Sequence, residues 1–287
     1  MKTNVLVVLY SKECDDSTTL NSLINLSNVN TTLTVFNNGP LAIKKDSVFL
    51  NKLKKNFSDL VFIEDLNNKP LSCIYNDFLK NSLYSRYVIF DDDTIVPMDY
   101  LSYVNNNDVD IRIPIIKSKA GKIVYPKKRG GVLDEEGIYD DNDFIYTVGS
   151  GLVIYKTLIN KFFYYNNDLF DERYALYGVD VSLFRRINLI KNKGCHIKIQ
   201  IANIISHSMS NLEEKPSEFR RVERLIDNVI TLRSYPESFS SSFFFFIRML
   251  FKRFLLFRYK EVFIMFKILM SGVHPRCNNV SKSEGKK

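Results

Sequence analysis

Apolar residues fall in short unbroken runs in the first third of the chain: NVLVVLY at 4–10, LVFI at 60–63 and YVIF at 87–90, with the β-branched, partly alternating TTLTVF at 31–36. Each run stops at polar or turn-forming residues: Ser11 to Asp16, Asn37 to Pro40, Asn67 to Pro70 and Asp91 to Asp93. Continuous apolar runs of this length suit a parallel sheet covered on both faces. The stretches 17–28, 46–57 and 71–85 can carry helices. Alternating strand and helix predicts an α/β fold. Such sheets bind ligands at the carboxyl ends of their strands, where this chain concentrates Asn, Asp and Glu.

The pattern is less regular afterwards. Residues 109–116 and 145–155 read as strands, 117–143 as a polar loop, and 180–191 as a helix carrying Arg185 and Arg186. Near residue 211 the character changes, which divides the chain into 1–210 and an extension, 211–287. In the extension, 218–232 reads as a helix, 243–270 as an apolar and basic helix, and 271–287 as frayed.

Charge placement sharpens this division. The net charge of +8 is matched by residues 243–287 alone, where Arg248, Lys252, Arg253, Arg258, Lys260, Lys267, Arg276, Lys282, Lys286 and Lys287 face only Glu261 and Glu284. The body is therefore neutral, which argues against a nucleic-acid-binding domain. The seven charges within 243–270 argue against a membrane span. At 100° per residue most of the basic ones fall in a sector about 140° wide, with apolar residues over most of the remainder. Such a helix predicts an anionic membrane surface as partner, at the headgroup boundary. Packing on the protein's own core or in an oligomer interface is the alternative. Cys14, Cys73, Cys195 and Cys277 are scattered, so neither a zinc site nor a disulfide framework is indicated. No signal peptide pattern opens the sequence. Together these predict a cytoplasmic location, peripheral on the inner face of the cell membrane.

The chemistry centres on Asp91-Asp92-Asp93, directly after YVIF. Three adjacent carboxylates repel one another, and their burial is costly without a cation. Mg or Mn, as hard divalent ions, prefer such oxygens and bridge them to phosphate. A solvated acidic turn is the plain alternative.

Several segments in order carry a family resemblance: the first strand with Tyr10 and Glu13, the turn Asn37-Asn38-Gly39, NNKPLSCIYN at 67–76, VIFDDDT at 88–94, GSGLVIY at 149–155 and FDERYALYGVDVSLFRRI at 170–187. Over about residues 4–207 the chain resembles the family 2 glycosyltransferases of GT-A fold, especially bacterial rhamnosyltransferase-like members. The resemblance implies a mostly parallel sheet flanked by helices and an inverting sugar transfer from a nucleoside diphosphate sugar. The acceptor it implies is a hydroxyl of a growing, lipid-linked surface glycan. It places the donor against Tyr10, Ser11, Glu13, Asn38, Asn68, Asp91 and Asp92, and the metal on Asp93 with Asp91 and, as in some relatives, His207.

By the same resemblance Asp180 is the base that deprotonates the acceptor. Many members have Glu-Asp there and this chain has Val179-Asp180, so the role falls to Asp180 alone. Gly149, Ser150 and Gly151 would lie along the sugar, and Asp171 and Glu172 on the acceptor side. Each has a structural reading too: turn chemistry for Asn37, a helix N-cap for Asp180, a bulge or turn for 149–151, a solvated face for 171–173, and a packed or surface histidine for His207. Two rivals remain. A sugar nucleotidyltransferase would carry a Gly-rich basic loop after the first strand, where this chain has YSKECDD. A non-catalytic nucleotide-binding membrane adaptor would not need Asp91, Asp93 and Asp180 together.

Overall fold

The computed structural model describes residues 2–26, 28–44, 47–101, 109–140, 143–208 and 217–278. The boundary expected at 210/211 lies outside them, as do Lys282, Glu284, Lys286 and Lys287. The four apolar runs become β1 (Thr3–Leu9), β2 (Asn28–Asn37), β3 (Phe57–Glu64) and β4 (Arg86–Asp91), all parallel, in the order β4-β1-β2-β3. β1 is buried at every position because it has strands on both sides and packing on both faces. β3, at the sheet edge, leaves most of its positions at least partly open.

Helices α1 (Thr18–Leu23), α2 (Val48–Asn56) and α3 (Leu71–Leu79) fill the connections, shorter than expected. Ser17 and Ser47 cap α1 and α2 by accepting from Leu20 N and Leu50 N, satisfying amide groups that a helix start leaves orphaned.

Beyond β4 the sheet becomes mixed. β11 (Leu152–Tyr155) runs antiparallel to β4 and to β6 (Ile111–Lys117), and β12 (Ile199–His207) lies parallel to β6. Short strands β5 (Thr94–Ile95), β7 (Ile123–Tyr125) and β10 (Gly137–Tyr139) join this sheet, and β8 (Lys127–Lys128) pairs with β9 (Gly131–Val132). The segment 117–143, expected as a loop, thus holds four short strands. The strand expected at 145–155 begins only at Leu152, because Gly151 turns the chain with a φ of 82°. Helix α4 (Lys156–Tyr164) was not expected.

One face of the sheet, with Leu6, Val8 and Ile89, packs on α3, α4 and α5 (Val179–Lys191). The other, with Val5, Val7 and Leu9, packs on α1 and α2. The first core continues into the extension through Leu225, Ile226, Val229 and Ile230 of α6 (Glu218–Ser234), Phe246 and Met249 of α7 (Phe239–Leu255), and Met265 and Ile268 of α8 (Tyr259–Ser271).

The single helix expected over 243–270 is therefore two. The chain breaks at Phe257, whose φ is 55°, and no common sector of basic residues survives the break. Glu261, which fits no membrane-facing pattern, is buried and lies 2.8 Å from Arg221 of α6, 3.6 Å from Arg253 of α7 and 3.8 Å from Arg258. A second buried acid, Glu223, meets His274 at 3.3 Å and Arg276 at 2.8 Å. Burial pushes the Glu223 carboxyl up, but these two partners hold it below its ordinary value.

The extension thus has a packed side and an open side. Ile268→Ala should destabilise the protein by about 2–5 kcal/mol in urea unfolding. Phe263→Ala, at a position 72% exposed, should stay within about 0.5 kcal/mol of the parent. Similar losses for the two would contradict this assignment of faces.

Candidate functional site

Parallel neighbours β4, β1 and β2 end side by side, with Val8 opposite Asp91 and Leu9 opposite Asn37. That register gathers Tyr10, Asn38 and Asp91–Asp93 at one edge. The turn after β4 is fixed by α1: Ser17 Oγ donates to the Asp92 carbonyl at 2.9 Å and Thr19 Oγ1 to the Asp91 carbonyl at 2.5 Å. Lys12 Nζ donates to Asp92 Oδ1 at 2.7 Å, so Asp92 is already paired.

β5 follows at once and pairs with the end of β12, setting Thr94 opposite His207. A one-residue bulge in β12 between Ile201 and Ile204 makes this possible. The extra residue inverts the face that each later side chain occupies. Asn203, with a φ of 68°, forms the bulge and accepts from fully buried Arg112 at 2.8 Å through its Oδ1. The segment 197–205, which leads to His207, is mostly apolar. Asn203, polar within that segment, is the one local sign of the bulge.

The resulting cluster is compact. His207 Nε2 lies 3.6 Å from Asp91 Oδ2. His207 Nδ1 lies 2.9 Å from Thr94 Oγ1 and 3.1 Å from Asp93 Oδ1. The latter is an ion-pair contact, and Asp93 Oδ1 is buried with no other polar partner among the described residues. Ser150 Oγ ties the cluster together, 2.5 Å from Thr94 Oγ1 and accepting from Asp91 N at 3.2 Å.

One ligand atom each from Asp91, Asp93 and His207 lie within 4.8 Å of one another. Burial, opposed by His207 and reinforced by Asp93 and Asp92, raises the Asp91 carboxyl to about 6. Burial works to lower the His207 pKa, yet Asp93, Asp91 and Asp180 hold it above its ordinary value. Two carboxylates and an imidazole, crowded and with one buried oxygen partnered by the imidazole alone, fit a hard divalent cation.

Asp180 enters from α5. Gly178 is the N-cap, in the left-handed region at a φ of 78°, and Asp180 sits in the first turn rather than at the cap. It accepts from the Gly149 backbone N–H. A Cβ on Gly149 would lie 2.6 Å from Asp180 Oδ1, so the glycine admits the carboxylate. Burial and Asp91 push Asp180 up to about 7, against the Gly149 hydrogen bond.

Asp91, Asp180 and His207 open into one cleft of about 400 Å³, which Tyr177 of the α5 approach, Arg185 of α5, and Arg224 and Asp227 of α6 also line. The sequence reading did not assign this second group to the site. In α6 the apolar Leu225, Ile226, Val229 and Ile230 mark the packed rows, and Arg224 and Asp227 fall beside them with no motif to set them apart.

The other expected residues are not among those that line this cleft. Tyr10 is half exposed beyond β1, and Ser11 N donates to the Gly39 carbonyl at 2.7 Å. Glu13 accepts from Lys44 N at 3.3 Å. Asn37 is turn chemistry, its Oδ1 accepting from Gly39 N at 3.0 Å. Buried Asn38 donates to the Lys69 carbonyl at 3.0 Å, and its Oδ1 has no hydrogen-bond partner among the described residues. Asn68 accepts from Arg276 at 3.0 Å. Gly151 lies inside the sheet, where a Cβ would strike Pro114 and Ile205. Asp171 is buried against Arg173 and accepts from the Tyr235 hydroxyl at 2.6 Å, away from the cleft lining. Glu172 accepts from Asn76 at 3.1 Å.

The mostly parallel sheet and its flanking helices are those of a GT-A fold. Solved structures share it. S. aureus TarS residues 1–349 in complex with UDP-GlcNAc aligns with a TM-score of 0.55 at 13% identity, covering 97% of this chain and 83% of that one. The longer S. aureus TarS structure gives 0.54 at 16% identity, and the alignment spans 84% of this chain but only 41% of that one. GalNAc-T7 with UDP, GalNAc and Mn2+ gives 0.51 at 10% identity, covering 82% of this chain and 52% of that one. No protein-family model and no curated protein sequence matches the chain.

Proposed function

We propose that the chain is a metal-dependent, inverting glycosyltransferase using a nucleoside diphosphate sugar and acting on a hydroxyl of a growing, lipid-linked bacterial surface glycan. The observation that carries this reading is the opening of Asp180, and of Asp91 and His207 from the cluster they form with Asp93, toward a single cleft. Structures of the same fold in complex with UDP-GlcNAc, or with UDP, GalNAc and Mn2+, support the donor class.

In this reading Tyr10, Ser11, Glu13, Asn38 and Asn68 border the nucleoside, with Asp91 and Asp92 on its ribose side. Asp91, Asp93 and His207 would hold Mg or Mn, which when bound would supply positive charge against that of a departing diphosphate. Asp180 accepts the proton of the acceptor hydroxyl as that oxygen bonds to the anomeric carbon. The bond from that carbon to the diphosphate breaks, its electron pair leaves with the nucleotide, and attack from the opposite face inverts the centre. A carboxyl raised to about 7 by burial is a base matched to neutral pH. Ser150 and Gly149 serve by fixing Asp91 and admitting Asp180.

Residues 1–210 carry the transfer chemistry, while 211–287 complete the cleft through α6 and present α7 and α8 to an anionic membrane from the cytoplasmic side. None of the described helices is long and apolar enough to cross a membrane. Phe244, Phe251, Phe254, Phe257 and Phe263 are each more than half exposed, among Arg248, Lys252 and Lys260. Aromatic rings beside basic residues suit the headgroup boundary.

A screen of nucleotide sugars with Mn2+ should raise the thermal midpoint for one nucleotide class, and Asp93→Ala should abolish that shift. Asp180→Asn should keep the shift while nucleotide release on transfer falls by about 10²- to 10⁴-fold. Unchanged metal-dependent binding in Asp93→Ala, or turnover within a few-fold of the parent in Asp180→Asn, would refute the respective role. In a separate assay the protein should sediment with phosphatidylglycerol vesicles at low salt, and replacing Phe251, Phe254 and Phe257 by Ser should release it. Equal sedimentation of the variant, or none of the parent, would exclude this surface as the membrane contact.

A further inference from the structure

The cleft holds two guanidinium groups that the transfer chemistry above does not use. Arg224 of α6 stacks on the Tyr177 ring, with its Cζ 5.0 Å from the centroid, and its Nη2 is shielded from solvent with no hydrogen-bond partner among the described residues. Arg185 of α5 donates from Nη1 to Thr231 Oγ1 at 2.9 Å and lies 5.5 Å from the Tyr235 ring. Arg185 acts on Asp227, whose carboxyl it lowers against burial and which accepts from the same Thr231 hydroxyl at 3.4 Å, so Arg224 is the guanidinium left without a charged partner among the described residues. Each arginine is held on one flank with donors left over. Asp227 is turned to the start of α5: a Cβ on Gly178 would lie 2.0 Å from its Oδ1.

A shielded, unpaired guanidinium N–H is costly unless a ligand supplies the acceptor. The planar fork of arginine matches a phosphate or carboxylate bidentately. The location decides which substrate brings that group. Arg185 shares α5 with Asp180, where the acceptor hydroxyl must sit, whereas the donor diphosphate belongs to the cluster at the end of β4. We propose that Arg185 and Arg224 form an oxyanion subsite for the acceptor, so that the accepted glycan carries a phosphate or carboxylate near the hydroxyl that is glycosylated. This rests on the glycosyltransferase reading only for the word acceptor. The oxyanion site itself rests on the arginines.

Inorganic phosphate is the probe, titrated into the full-length protein with and without saturating UDP and Mn2+, and followed by calorimetry and thermal midpoint. Saturable phosphate binding that persists with UDP and Mn2+ present is expected. Arg224→Gln and Arg185→Gln should each weaken it at least tenfold and leave UDP–Mn2+ binding within twofold. Arg224→Lys, which keeps the charge and loses the fork, should fall between and controls for folding. Three results would overturn the proposal: no saturable phosphate binding, binding unaltered in Arg224→Gln, or displacement of phosphate by UDP and Mn2+, which would assign the arginines to the donor. Arg224-dependent phosphate binding in a protein that binds UDP and every other screened nucleotide sugar no better with Mn2+ than without would leave the oxyanion site standing and remove the transferase reading instead.

Discussion

Carboxylates resist being gathered. Asp91, Asp93 and Asp180 lie around one histidine in a cleft that removes much of their water, and Asp227 stands behind them. Each partly hidden negative charge raises the cost of the next. Asp91 and Asp180 register that cost directly: burial, with Asp93 and Asp92, raises the first to about 6, and burial, with Asp91, raises the second to about 7. Much of the surrounding architecture can be understood as holding these groups in place against their repulsion. Ser150 binds the Asp91 amide, α1 fixes the turn that carries Asp91 to Asp93, and the Gly149 N–H steadies Asp180. A protein folded for stability alone would not assemble such a group, which is why the site stands out as chemical.

The same constraint explains the role of the extension. Asp227 reaches the start of α5 only because Gly178 has no side chain. Tyr174 and Arg185 both meet Thr231 of α6. The helix that bears Asp180 is thus braced by residues on the far side of the 209–216 segment, and the sheet and the extension share one continuous apolar core. Division of labour along the chain does not mean separate packing.

The first four strands and the acid cluster were legible because they rest on local rules. A continuous apolar run can only be a covered strand or a buried helix, and acids directly after it must lie at the strand's carboxyl end. The placement of His207 was not legible from local pattern. Its position depends on a bulge at Asn203 that answers Arg112, a partner 91 residues away. Arg224 looked like any polar residue of an amphipathic helix, because its meaning comes from the cleft against which the helix packs. The break at Phe257 was hidden for the opposite reason: the sequence on both sides is uniformly apolar and basic, and the arginines that gather around Glu261 come from three elements. Periodicity shows which side of a helix is greasy and is silent about where the axis turns.

Thr94 and His207 are 113 residues apart. During synthesis, Asp91 to Asp93 leave the ribosome long before β12 exists. Until then they are ordinary hydrated acids on a short, unpaired turn, with no histidine beside them. Pairing over such a separation is slow, since loop closure must precede any contact that rewards it. The grouping of Asp91 and Asp93 with His207 is therefore deferred until both ends of the sheet have met. The maturity of the fold can be followed through the arrival of a single imidazole.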